Sequence, residues 1–98
     1  MKEKLDFRLI EDGNAMGAFL KDEQIGDISF VKQNDKIIID HTGVNDKYAG
    51  QGVGAQLVNA VVEMARRDKK RIIPICSFSR AQFMKHPEYN DTLMSSAE

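Results

Sequence analysis

The chain has 98 residues, 42% of them hydrophobic and 30% charged, with 14 Lys and Arg against 15 Asp and Glu for a net charge of −1. That balance fits one globular domain over residues 1–98 and excludes a disordered tail, which would be poor in apolar residues and strongly charged. It also leaves no global basic field to draw the chain to nucleic acid or an anionic membrane.

The lone cysteine, Cys76, cannot form an intramolecular disulfide, so a reducing cytoplasm is the expected setting. The start Met1-Lys2-Glu3-Lys4 is charged and is followed by no apolar run, so no signal peptide is expected. The longest wholly apolar stretch, Ile72 to Cys76, is five residues long, against the roughly 20 that a membrane-spanning helix needs.

Leu5, Phe7 and Leu9 alternate with Asp6 and Arg8, the period of a half-buried strand. After the turn signal Asp12-Gly13-Asn14, Met16 to Leu20 reads as a second strand. A third contains Ile28 and Phe30, and a fourth runs through Ile37-Ile38-Ile39-Asp40-His41-Thr42, whose successive β-branched residues predict burial on both faces. Tight polar turns make these four an antiparallel meander.

The period then changes. Val53, Leu57, Val61 and Ala65 form one stripe of a helix ending at Arg66-Arg67-Asp68. Ile72-Ile73-Pro74-Ile75-Cys76 follows as a short strand, expected parallel to the fourth because a helix lies between them. Pro74 cannot donate to a ladder, which predicts either an edge position or a divergence of strands four and five. Ser79 to Gln82 has the spacing of a capping box opening a short helix that stops before Pro87, and the tail from Asn90 is expected to fray. The fold class is α+β.

Gly50-Gln51-Gly52-Val53-Gly54-Ala55 lies between a strand and a helix start. Three glycines weaken a helix start unless backbone must be approached closely, and free amides at the positive end of a helix dipole make an anion site. A purely structural turn is the competing reading. Ala55-Gln56 follows the glycines, so a nucleoside-triphosphate loop with its Lys-Ser/Thr is excluded. A dinucleotide fingerprint is present in form but lacks an acidic residue at the end of the next strand.

This order of elements and this turn resemble the GNAT superfamily of acyl-CoA-dependent N-acetyltransferases, with Gly52 and Gly54 matching the glycines of its pyrophosphate motif. Ala49 stands where that motif has Gln or Arg, which leaves the backbone from Gln51 to Ala55 to make the contact. More narrowly, the chain is similar to small single-domain members through His41-Thr42, the run Tyr48 to Gly54, Pro74-Ile75-Cys76-Ser77-Phe78 and His86-Pro87-Glu88-Tyr89, over roughly residues 15 to 90.

The resemblance implies a minimal GNAT fold that takes acetyl-CoA, hence coenzyme A, and transfers the acetyl group to an amine, with no metal. The pyrophosphate would lie on Gly50, Gln51, Gly52, Val53, Gly54 and Ala55. The pantetheine would run between strands four and five, against Thr42, Gly43, Val44, Cys76, Ser77, Phe78 and Arg80.

Catalysis needs a base for the ammonium proton, for which His41 is the candidate, with Asp40 beside it on the opposite face. Cys76 is either an acyl-accepting nucleophile near a helix start, with His41 as its base, or a small buried apolar residue. A general acid is not evident: Phe83 stands where a tyrosine is expected, leaving Tyr89 or Ser77. The basic run Arg66 to Arg71 reads as a solvated helix end. Little chain follows the fifth strand, so the acceptor site should be open and shallow, which favours a protein lysine or terminal amine. A non-catalytic CoA-binding or redox-sensing module is the alternative reading.

Overall fold

The structure, a computed structural model, describes residues 4–94. Five strands lie in sequence order in one sheet: β1 (Asp6–Ile10), β2 (Ala15–Leu20), β3 (Glu23–Gln33), β4 (Lys36–Val44) and β5 (Arg71–Pro74). The first four pair antiparallel as a meander, and β5 pairs parallel to β4 after helix α1 (Val53–Asp68). Helix α2 (Ser77–Lys85) follows β5.

Alternation decides which side of the sheet is buried. Met16, Ile28, Phe30, Ile37 and Ile39 are buried with Val53, Leu57, Val58, Val61 and Val62 of α1. The sheet approaches α1 closely: a methyl on Gly26 would lie 3.3 Å from both Leu57 and Val53 side chains. Leu57 is fully buried, so Leu57→Ala should cost about 2–5 kcal/mol. Thermal unfolding should then show Tm lowered by at least about 8 °C.

The expectation that β4 is buried on both faces is corrected. Ile37 and Ile39 are buried while Ile38 between them is only partly so, because α1 covers one face. Opposite β3 the register shifts, with Ser29 pairing His41 and Phe30 pairing Ile39, so Asp40 is an extra residue in β4. Its carboxylate accepts a hydrogen bond from the Ser29 hydroxyl at 2.7 Å.

Pro74 has a place in this ladder. The amides of Arg71 and Ile75 donate inward to Asp35 and Ile39, whereas Ile72 exchanges bonds outward with Thr92 and Met94. By alternation the Pro74 nitrogen points outward, where no ladder bond is lost. Pairing with β4 also stops at Ile39↔Pro74, so both sequence expectations for this residue hold at once.

Two further expectations change. Residues 90–94 are docked rather than frayed: Leu93 bridges to Ile72, Thr92 is buried, and Arg66 holds Asp91 through two bonds of 3.0 and 2.9 Å. Residues 95–98 lie outside the described residues. The basic run is accordingly a clamp at Arg66, which also reaches Glu63 and the Glu88 carbonyl, and not merely a solvated end.

Arg66 holds the Asp91 carboxyl below its usual range, chiefly through that hydrogen bond. A depressed folded pKa contributes stability above the unfolded value and loses it as pH falls through the folded one. Asp91→Asn should therefore flatten the acid limb of a Tm-against-pH curve and leave the neutral-to-alkaline limb unchanged in slope.

Candidate functional site

Beyond Ile39 and Pro74 the chain on either side leaves the ladder. β4 continues from Asp40 to Val44 paired with β3 only, while Ile75 and Cys76 bend away, both donating to the Ile39 carbonyl at 2.9 and 3.3 Å. A parallel pair that parts in this way exposes backbone along a slot.

The glycine turn closes one end of that region. Gly50 and Gly52 have φ of +77° and +82°, a region L side chains avoid, and a methyl on either would meet nothing within 4 Å. Gly52 is the N-cap of α1; no side chain caps the helix and no acidic residue sits in its first turn. The leading amides of α1 have no partner within the helix, and the positive end of its dipole faces an uncrowded space. These residues therefore fit a pyrophosphate. Gly54 answers a different need, since a methyl there would lie 2.8 Å from the Phe78 ring. That contact sets the start of α1 beside the start of α2.

Cys76 is the N-cap of α2, correcting the expectation that Ser79 opens the helix. The Ser79 amide donates to Sγ at 3.4 Å, the thiol donates to Ser79 Oγ at 3.0 Å, and Oγ donates to the Cys76 carbonyl at 2.9 Å. Thr42 Oγ1 lies 3.5 Å from Sγ, joining the fourth strand to the cluster. Burial pushes the thiol pKa up, but the hydrogen bonds from Ser79 and Thr42 outweigh it and bring the thiol below its ordinary value. On ionisation the Ser79 hydroxyl can turn its proton from the carbonyl to the sulfur. Alkylation of Cys76 by iodoacetamide should thus reach half its limiting rate at lower pH than a free cysteine does, and Ser79→Ala should move that midpoint up.

His41 does not join Cys76. It pairs with Ser29 on the face away from α1, while its neighbour Thr42 pairs with Ile28 on the α1 face and touches the thiol. A methyl on Gly43 would lie 3.0 Å from His41 Nε2 and 3.3 Å from Asp27 Oδ1, so these groups share the outer face. Ser77, Phe78 and Gln51 are exposed, and Thr42, Gly43, Val44 and Ala55 are partly buried around the slot, with Val53 buried beneath it. Arg80 lines a separate cavity on the far side of β5.

Of the two candidate acids, Tyr89 is buried, its ring 5.5 Å from Phe83 and its hydroxyl accepting from Asn59 at 3.1 Å, so it belongs to the core. Ser77 lies next to Cys76 at the helix start. The role of Ser79 was missed by sequence reasoning, although its position three residues after Cys76 is the spacing at which a cap receives an amide bond.

A meander, a glycine-rich turn opening a helix, and a parallel fifth strand parting from the fourth define the fold of acyl-CoA-dependent N-acetyltransferases. The profile described as GCN5-related N-acetyl-transferase matches residues 16–92, and the chain belongs to that family. It is similar to a GCN5-like protein from Staphylococcus aureus solved by NMR, at 35% identity over 97% of this chain and 92% of that one, with a TM-score of 0.73.

More distant structures share the fold. A GNAT family acetyltransferase from Elizabethkingia anophelis with acetyl-CoA bound is 22% identical over 76% of this chain and 51% of that one, with a TM-score of 0.59. An aminoglycoside 6'-N-acetyltransferase complexed with coenzyme A is 21% identical over 61% of this chain and 35% of that one, with a TM-score of 0.55. Among curated proteins there is no significant match. No helix of the described residues is long and apolar enough to cross a membrane.

Proposed function

We propose that the protein transfers the acetyl group of acetyl-CoA to an exposed primary amine, a protein lysine or terminal amine, in the cytoplasm. The observation that carries this reading is the uncapped start of α1 at Gly52, beside a slot whose mouth holds the Thr42–Cys76–Ser79 cluster. The amides of residues 52–55 would hold the pyrophosphate, and the free edge of β4 from Asp40 to Val44 would bond the amides of the pantetheine.

In this reading the Cys76 thiolate attacks the thioester carbonyl, the bond from that carbon to the CoA sulfur breaks, and the departing thiolate takes up the proton Cys76 released. The acceptor ammonium gives its proton to His41 from the outer face. The free amine then attacks the acetyl-cysteine, the bond from the carbonyl carbon to Sγ breaks, and the departing Cys76 thiolate takes up the proton the amine nitrogen loses. Because His41 and Cys76 lie on opposite faces, the amine would reach the acetyl-cysteine through the gap where β4 and β5 part.

The test is incubation of the protein with acetyl-CoA and peptides bearing a free terminal amine or a lysine, followed by mass spectrometry of peptide and protein. Acetylated peptide, and one acetyl group on Cys76 when no peptide is added, are expected. Thiol release no faster than the blank would sink the proposal. A redox-sensing CoA module is the second reading, favoured by the capping role of the Cys76 sulfur. It predicts a mixed disulfide with CoA and no acetylated peptide.

A further inference from the structure

A further cavity shares no lining residue with the Thr42–Cys76–Ser79 cluster or the glycine turn. It has a volume of about 850 Å³ and sits on the outer side of β5, bounded by α2 and residues 93–94. That size falls in the range of small-molecule sites, about 300–1,000 Å³.

Its walls are apolar, formed by Ile73, Ile75, Phe83, Met84 and Leu93. Ile75 and Met84 are 55% and 83% exposed, an open apolar surface beside a concave site. Its two charged residues are Lys36 and Arg80, neither of them in an ion pair among the described residues, and no carboxylate lines the cavity. Lys36 begins β4 and Arg80 follows the end of β5, so the apolar wall runs between two cations.

Two occupants are disfavoured by what is present. An added peptide strand would need a donor at the outward position of β5, and that position is Pro74. A second copy docking by the same groove would set Lys36 and Arg80 against their like-charged equivalents. We propose that the groove binds a free medium-chain aliphatic carboxylate, its chain along Ile73, Ile75 and Met84 and its anionic head on Lys36 or Arg80. Methionine is suited to such a wall, being flexible and polarisable.

The site is separate from the glycine turn, so it stands or falls without the acetyl-transfer reading. The test is an NMR titration of the isotope-labelled protein with decanoate below its micelle concentration, beside decyltrimethylammonium and anionic vesicles. Decanoate should shift the amides of Ile73, Ile75 and Met84 and bind at least about tenfold more tightly than the cationic amphiphile. Met84→Glu, on an exposed position, should abolish those shifts and leave CoA affinity unchanged, and the double variant Lys36→Glu/Arg80→Glu should weaken decanoate binding by at least about tenfold. Equal binding of both amphiphiles, binding to vesicles alone, or a dimer at the titration concentration that loosens with Met84→Glu would overturn the proposal.

Discussion

Replacing Cys76 by Ser is expected to lower acetyl transfer to a peptide amine by at least about a hundredfold, roughly 2.7 kcal/mol of barrier, while leaving acetyl-CoA affinity within about twofold. The variant keeps the fold because serine is itself a preferred helix cap and can still receive the Ser79 amide. It loses the thiol, the one group of the Thr42–Cys76–Ser79 cluster that can act as a thiolate nucleophile. His41→Gln should also slow transfer, but should leave the acetyl-cysteine to accumulate, since His41 lies on the outer face away from the thiol and in the proposed order would serve only the amine. Steady-state rates with intact-protein mass spectrometry separate the two. A loss below about tenfold for Cys76→Ser would make direct transfer from CoA the chemistry, with Cys76 a helix cap only.

The second large effect concerns the turn. Gly52→Asp should weaken CoA binding by at least about a hundredfold, since it sets a carboxylate where the leading amides of α1 would receive pyrophosphate. The substitution costs folding only modestly: an L residue at φ +82° is strained by about 1–2 kcal/mol, but aspartate tolerates the left-handed conformation better than most residues and a side chain at Gly52 meets no neighbour within 4 Å. A modestly lowered Tm, with the protein still folded at the titration temperature and affinity lost in isothermal titration, is the expected pair of results. Retained affinity would remove the phosphate role from the turn.

Much of this architecture was legible because its signals are local. The stripe Val53, Leu57, Val61, Ala65 and the Arg66-Arg67-Asp68 end placed α1 with its observed bounds. The alternating strands and polar turns gave the meander, and Pro74 marked the point where β4 and β5 part.

What was not legible depends on partners distant in sequence. Nothing near Ile38 says that only one face of the sheet is covered. Nothing near Asn90 says that Arg66, 25 residues earlier in the chain, will hold Asp91. In sequence Gly54 has the spacing of a phosphate glycine, but the contact that requires it is the Phe78 ring, from a segment more than 20 residues away. Likewise Cys76 and His41 looked like a pair, because each suits the other chemically. The extra residue at Asp40 and the strand period put Thr42, and not His41, on the side of the thiol. Ser79 has the capping-box spacing in sequence, but it is the residue that binds the cap, Cys76.

The measurement that bears most directly on the account is an NMR titration of the labelled protein with coenzyme A, following every backbone amide. Shifts concentrated at residues 50–55 and 76–79, with the free edge of β4 following, are the predicted result. An absence of shifts there, or shifts confined to the outer groove of β5, would contradict it and leave the acetyltransferase fold here without its donor site.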